Sequence, residues 1–461
     1  MRRNPAIALV AVALAALCLV AAACGGSNSG GGSTSSKSTP ASLKGQTVRL
    51  WVMNNGPEPV KDTERIVAPF ERRTGIDVKV ELVGWDVQFD RIRNAAVSGQ
   101  GPDVTQAGTT QVPFFAALGG FEDLSDRVSD IGSAGAYAPG IWATTQVVGR
   151  DGTWAVPWFT EARTIYYRKD ALRKEGVDPS TAFTSQEALR ATLEKLRSVK
   201  EIGGKPIAPF GGPGKKAFDL VHNLMPWVWD EGGAELSKDN QKSTINSPQS
   251  VQGVKFAADL VNAGLWDRSM LERDGQQVED QFKGGRLAVW IGGPWVLASS
   301  KRADDKTWTD VARKNVGVAP MPSGTGGKGY TFIGGSNLMM FKSSKHKDAA
   351  WQLIKYLSSD EVQTQYADLM GMFPARLAPQ EAQGTVDAAH KAFYEAIKDQ
   401  GRSYAPIPQW AQVENAYKNQ FGQILDAAAG HGGTSYSEQS LQAQLDKAAK
   451  EADGLLAQSA G

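Results

Sequence analysis

The chain has 461 residues, 41% hydrophobic and 21% charged, a globular composition long enough for two or three domains. Cores of that size need no disulfide or metal staple. A net charge of +1 excludes the basic excess a nucleic-acid binder needs, and 4 His with 2 Cys point away from a His- or Cys-built metal site.

The N-terminus comes first. Arg2 and Arg3 precede an apolar run from Ala6 to Ala23, which closes on the small residues Ala21-Ala22-Ala23 before Cys24. The run is long enough to tempt a transmembrane reading, but a basic start, an apolar middle and a small-residue end describe an export signal. The segment resembles a bacterial lipoprotein signal, with Cys24 as the lipidated residue and Ala21 where Leu is usual. Gly25 to Ala41 is nearly all Gly, Ser and Thr, a flexible tether reaching about 20–25 Å. Losing residues 1–23 removes both arginines and leaves a mature net charge of about −1. Cys18 departs with the signal, so the body has no disulfide although it faces an oxidising compartment.

Beyond the tether, strand and helix patterns alternate. Val48 to Val52 alternates as a strand, Val60 to Arg73 is helical with Gly75 as the stop, and Val78 to Leu82 alternates again. Phe89 to Ser98 reads as a helix and Asp103-Val104 as the start of a strand. Thr184 to Glu187 reads as a capping box ahead of Leu189, Leu193 and Leu196. Ala349 to Leu357 is amphipathic, and the C-terminal third is mainly helical. The β-α-β-α rhythm predicts an α/β fold with helices on the faces of its sheet.

Catalytic and cofactor signatures are missing: no phosphate loop, nucleophile elbow, zinc helix or EF-hand. Gly324, Gly326 and Gly329 match the dinucleotide spacing, but they follow Pro320 and Pro322 and no helix pattern follows them, so a flexible loop is expected. Glu122 and Asp123 are acids of the kind a glycosidase pairs, read here as a solvated loop. The sequence therefore predicts no catalytic residue, no cofactor and no metal.

A series of motifs in fixed order resembles the extracellular sugar-binding proteins of bacterial ABC importers, the maltose-binding-protein-like family. They include Thr74-Gly75-Ile76, Gly101-Pro102-Asp103-Val104, Trp154-Ala155-Val156-Pro157, Glu161-Ala162, Gly284-Gly285-Arg286-Leu287, Gly292-Gly293-Pro294-Trp295, Gly334-Gly335-Ser336-Asn337, Phe373-Pro374-Ala375-Arg376 and Pro408-Gln409-Trp410. The resemblance runs from about residue 46 to the end. It implies a two-lobed α/β periplasmic-binding-protein fold of type II, whose discontinuous lobes close on a ligand like a hinge. The implied division is a signal at 1–23, a tether at 24–44, an N-terminal lobe from 45–157 and 319–373, and a C-terminal lobe from 158–318 and 374–461. Crossings are expected near Trp158–Arg163, Asn315–Pro320 and Phe373–Arg376.

A sugar presents C–H faces that pack on flat rings and hydroxyl edges that pair with Asp, Glu, Asn, Gln or Arg. The 13 Trp suit that need. By resemblance, Trp295 is the stacking ring, Glu161 a hydroxyl partner, and His222 and Asn223 lie in a contact segment. Trp410 and Trp158 are further ring candidates. Trp85 and Asp86 end strand two, Asn54 and Asn55 end strand one, and Glu58 opens the next helix; such strand ends are where α/β clefts bind ligands. Thr109 and Thr110, Trp229 and Asp230, the backbone of Gly334, Gly335 and Ser336, and Arg376 complete the set. Asp103 reads as structural. The implied function is a lipoprotein that captures a neutral di- or oligosaccharide and delivers it to ABC permease subunits. It would be a monomer held to the outer membrane face through Cys24, with no nucleic-acid partner. An exported glycoside hydrolase, or a binder of a polyamine or sugar phosphate, is the alternative.

Overall fold

The computed structural model describes residues 40–433 and 435–458. Cys24 and the export segment therefore lie outside the described residues. Thirteen strands are formed among them. β1 (Thr47–Val52), β2 (Asp77–Leu82) and β3 (Val104–Gly108) run parallel. β4 (Val156–Ala162) and β5 (Thr164–Arg168) follow with one residue between them, and β6 (Glu201–Ile202) with β7 (Lys205–Pro206) makes a small hairpin. Then come β8 (Ala208–Gly211), β9 (Leu287–Gly292), β10 (Val316–Ala319), β11 (Thr331–Met340), β12 (Phe373–Pro374) and β13 (Gly401–Arg402).

Two sheets organise two lobes. The first has the order β12-β4-β11-β3-β1-β2, with β13 added on β11; the second has the order β10-β5-β9-β8. The chain enters the second sheet between Ala162 and Thr164, at Arg163. It returns along β11: Phe332 packs in the large core of the second lobe, whereas Leu338 and Met340 pack in that of the first. This crossing lies inside a strand, downstream of the expected Asn315–Pro320. Strand β11 pairs with β3 and β4 by antiparallel bonds, which ties the return path to the entry path.

Local chemistry explains the elements. In the Pro59–Thr74 helix, Pro59 sits in the first turn, where no N–H is needed, and Gly75 caps the end in the left-handed conformation. Ile66, Val67 and Phe70 form its buried stripe. Two expectations shift. Trp85 and Asp86 do not end strand two; they open the Trp85–Ser98 helix. The cap of the Gln186–Leu196 helix is Ser185, whose side chain accepts from Ala188 N–H, one residue later than Thr184. The Gly324–Gly329 segment is a loop, held rather than free: Gly326 N–H donates to the Asp230 carbonyl and Thr325 to Glu231. Asp103 accepts from Arg49 N–H and Ser344, joining two segments of the first lobe.

Candidate functional site

Between the lobes lies a cavity of about 210 Å³. The first lobe contributes Asn54, Gly84, Trp85 and Asp86, Gly108 to Thr110, and Gly335. Each follows or interrupts a strand, so the sheet sets its position. The second lobe contributes Phe218, Asp219 and His222 from the start of the Leu220–Asp230 helix and its approach. Glu279 comes from the Gly275–Lys283 helix and Trp295 from the first position of the Trp295–Lys301 helix. Glu161 and Arg163 stand on the crossing itself.

Trp295 is half-buried and fixed at its edge: its indole N–H donates to Glu279 Oε2 at 2.7 Å. The Arg163 guanidinium lies 4.7 Å from its ring centre, a cation–π contact. Arg163 also donates to Glu161 Oε1 at 3.2 Å and pairs with Asp219 at 3.5 Å. Glu161 is only 7% exposed, and its Oε2 has no hydrogen-bond partner among the described residues. A buried acceptor left open is costly unless something supplies a donor. Burial raises the Glu161 carboxyl, Arg163 opposes that, and Asp219 adds to it. Burial also raises Asp86, with the like charges of Asp274 and Asp219 adding to the effect. Asp86 accepts from the Phe218 N–H across the cleft.

His222 stacks on Phe332, ring centres 3.9 Å apart, and its Nε2 lies 3.2 Å from Glu414 Oε1. Burial pushes the imidazole well below its usual range and lifts Glu414 to about 8. Both groups are held toward their neutral forms, so the contact is not an ion pair, and Glu414 Oε1 has no hydrogen-bond partner among the described residues. Thr110 bonds Glu414 from the other lobe. The result is a half-exposed ring edged by carboxylates, a guanidinium, a neutral imidazole and a threonine. Nothing in it is a nucleophile held by a base. Glu279 is already engaged by Trp295 and Lys283.

Nine of the residues singled out from sequence line this cavity: Asn54, Trp85, Asp86, Thr109, Thr110, Glu161, His222, Trp295 and Gly335. The others do not. Trp158 is buried against Phe159 and Tyr366, and Trp410 is buried with its ring stacked on Tyr404 at 4.2 Å. Trp229 donates to Glu235 and Asp230 accepts from Tyr330 N–H, both inside the second lobe. Asn55 donates to Gln106 and Tyr366, Ser336 accepts from Gln106, and Asn223 turns back to the Asp219 carbonyl. Glu58 pairs with Lys61, Gly334 sits in the β4–β11 ladder, and Arg376 is bound by Asp360 and the Ile131 carbonyl. Sequence reading passed over Arg163, Asp219, Glu279 and Phe218. Arg163 ends the first crossing that the motifs located, and Phe218 precedes His222 by one helical turn. Glu279 carried no signal beyond its place on an amphipathic helix.

A profile of the bacterial extracellular solute-binding proteins matches residues 56–364. The chain belongs to that family. Family members are binding proteins rather than enzymes, and they work outside the cytoplasm. The chain is 28% identical over 375 residues to the diacetylchitobiose binding protein DasA of Streptomyces coelicolor, covering 80% of this chain and 82% of that one. It is 23% identical over 373 residues to a maltooligosaccharide ABC transporter solute-binding lipoprotein of Streptococcus pneumoniae, covering 80% and 81%. Maltose-bound MalE3 of T. maritima superposes with a TM-score of 0.76 at 22% identity, over 89% of this chain and 99% of that one. That likeness establishes the two-lobed fold of the family. No helix among the described residues is long and apolar enough to cross a membrane.

Proposed function

We propose that this family member is the substrate-binding lipoprotein of an ABC sugar importer, taking a neutral di- or oligosaccharide into the inter-lobe cavity without chemical change. The observation that carries the reading is Trp295: a half-exposed indole, edge-locked by Glu279, set in a cavity lined by further rings and by the hydroxyl-binding groups of Asn54, Asp86, Thr110, Glu161 and Asp219. A sugar face stacks on the ring while its hydroxyls meet Glu161, Asp86, Asp219 and Thr110. Entry of the sugar displaces the Arg163 guanidinium from the ring or extends its stack. The ligand stabilises the closed lobes because only then do both halves touch it. Closure also juxtaposes Asp62 of the first lobe and Arg302 of the second, which pair across the cleft. Lipidation at Cys24 places the body at the outer membrane face, where permease subunits collect the sugar from a monomer. The sugar-binding relatives support this reading, as does a cavity whose one guanidinium is already balanced by Glu161 and Asp219. A phosphate would need more positive charge than that.

The test is intrinsic Trp fluorescence of residues 42–461, titrated with neutral mono- and disaccharides, sugar phosphates and polyamines. A saturable change with a neutral saccharide is expected. A response confined to a phosphate or a polyamine would overturn the sugar assignment, and release of free monosaccharide from a disaccharide would overturn binding without chemistry.

A further inference from the structure

Trp295 is backed by a circuit of buried side chains, most of which stay out of the cavity. Glu279 and Lys283 stand one turn apart on the Gly275–Lys283 helix, and Trp295 and Ser299 one turn apart on the Trp295–Lys301 helix. Each pair therefore shares a helix face. The two faces are joined at both ends. At one end the Trp295 indole N–H donates to Glu279 Oε2 at 2.7 Å. At the other, Lys283 Nζ lies 3.5 Å from Asp305 Oδ2, which accepts from the Ser299 hydroxyl. Lys283 also pairs with Glu279 Oε1 at 2.5 Å, which closes the circuit. Thr307 N–H donates to Asp305 Oδ1 at 3.0 Å, and the Trp308 indole N–H donates to Ser299 Oγ at 2.7 Å. Glu279, Lys283 and Asp305 are each at most 6% exposed. Of these residues only Trp295 and Glu279 line the cavity. The ring is closely seated as well: a Cβ on Gly293 would stand 1.8 Å from it.

A buried ion pair seldom repays its desolvation, so apolar residues of similar size would serve stability as well. Burial works against the Lys283 ammonium, but the carboxylates of Glu279 and Asp305 outweigh it and raise the group above its ordinary value. Every oxygen of those two carboxylates has a partner, and a fully satisfied network of this kind is stiff. What the circuit reaches in the cavity is the indole N–H. We infer, building on the sugar reading above, that Lys283 and Asp305 are positioning residues: they do not touch the saccharide, and they set its affinity by fixing the plane of the Trp295 ring through Glu279. An N–H bonded to a lysine-paired carboxylate is held by a charge-assisted bond, stronger than one to a neutral acceptor. The saccharide then meets a ring already ordered, and less of its binding energy goes into immobilising that ring.

The test compares Lys283→Met, Asp305→Asn and Trp295→Phe with the wild-type chain. Trp295→Phe keeps a ring but has no N–H to hold, and by losing its indole resonance it assigns that signal in a heteronuclear NMR spectrum. Without ligand, the Trp295 resonance is expected to move in Lys283→Met and Asp305→Asn. The indole resonance of Trp410, buried in a different core cluster, is expected to stay in place. Calorimetric titration then uses maltose and diacetylchitobiose or, where neither binds, the neutral saccharide with the strongest fluorescence response. Lys283→Met is expected to weaken affinity about tenfold in the wild-type background and less than about twofold in the Trp295→Phe background. Asp305→Asn leaves the Glu279–Lys283 pair in place and decides by the same two readings where Lys283→Met does not fold. An unmoved Trp295 resonance, or an equal loss of affinity in both backgrounds, overturns the positioning role and leaves the sugar reading standing. Failure of every neutral saccharide to bind the wild-type chain overturns the two together.

Discussion

Trp158, Trp410 and Trp295 are chemically the same side chain in three different situations. The first two are at most 1% exposed and packed on Tyr366 and Tyr404. Trp295 keeps a ring edge on Glu279 and a face toward the cavity. Sequence cannot separate them, since each follows a Pro at a distance of one or two residues, and only tertiary burial decides which ring a ligand can reach. Titratable groups make a sharper statement. Burial raises Glu414 and Asp230 to about 8, far above their unfolded values. The folded chain therefore holds protons that the unfolded chain gives up near pH 4–5. Their contribution to stability is fully present below that range and is lost as pH rises toward 8. Lys418 lowers and Asp219 raises the Glu414 carboxyl, while the His222 imidazole that packs against it is held neutral by burial. The melting temperature is expected to fall between pH 5.5 and 8.5, with Glu414→Gln flattening the slope and gaining most at the alkaline end. A melting temperature that rises across that window in the wild type, with Glu414→Gln no flatter, would contradict the assignment.

At the scale of elements, β11 carries the most demands. It crosses between lobes, borders the cavity at Gly335, and shifts register against β4 between Ser336 and Asn337. Gly335 has φ +133°, and a Cβ there would stand 2.2 Å from the Phe159 carbonyl oxygen. Gly335→Ala is therefore expected to cost roughly 1–3 kcal/mol and to weaken ligand binding with it. Gly454 is the opposite case: it lies inside the Glu438–Leu456 helix with open space around it. Gly454→Ala is expected to stabilise by about 0.5–1 kcal/mol. Thermal unfolding of the two variants checks both signs. The β1–β2–β3 half of the first lobe was legible because alternation, Gly75 and the capped helix between strands are local signals. The position of the crossing within β11 was not, because it depends on which core receives Phe332 and which receives Leu338. Trp85 and Asp86 were placed at a strand end because the helix pattern is clear only from Phe89. The residues before it are a half-exposed ring, one charge, an exposed Val87 and a buried Gln88, which carry no apolar period.

At the scale of the whole molecule, the ordered motifs pointed to the two-lobed fold and the sugar-binding class, while the cavity had to be assembled in space. Glu279 and Asp219 reach it from different helices of the second lobe, and Arg163 from the crossing. No spacing in the sequence brings those three together. Closure is carried by contacts that exist only when the lobes meet: Trp85 on Phe218, Phe218 N–H on Asp86, Thr110 on Glu414, and Arg302 on Asp62. None of these is large alone, so a ligand that bridges the lobes can shift the balance between open and closed. The most direct measurement is calorimetric titration of wild type and Trp295→Ala with the neutral saccharide that gives the strongest fluorescence response. Loss of about 2 kcal/mol, roughly 30-fold in affinity, is expected in a variant that is still folded at the titration temperature. Equal affinity in the two proteins would place the sugar somewhere other than on this ring.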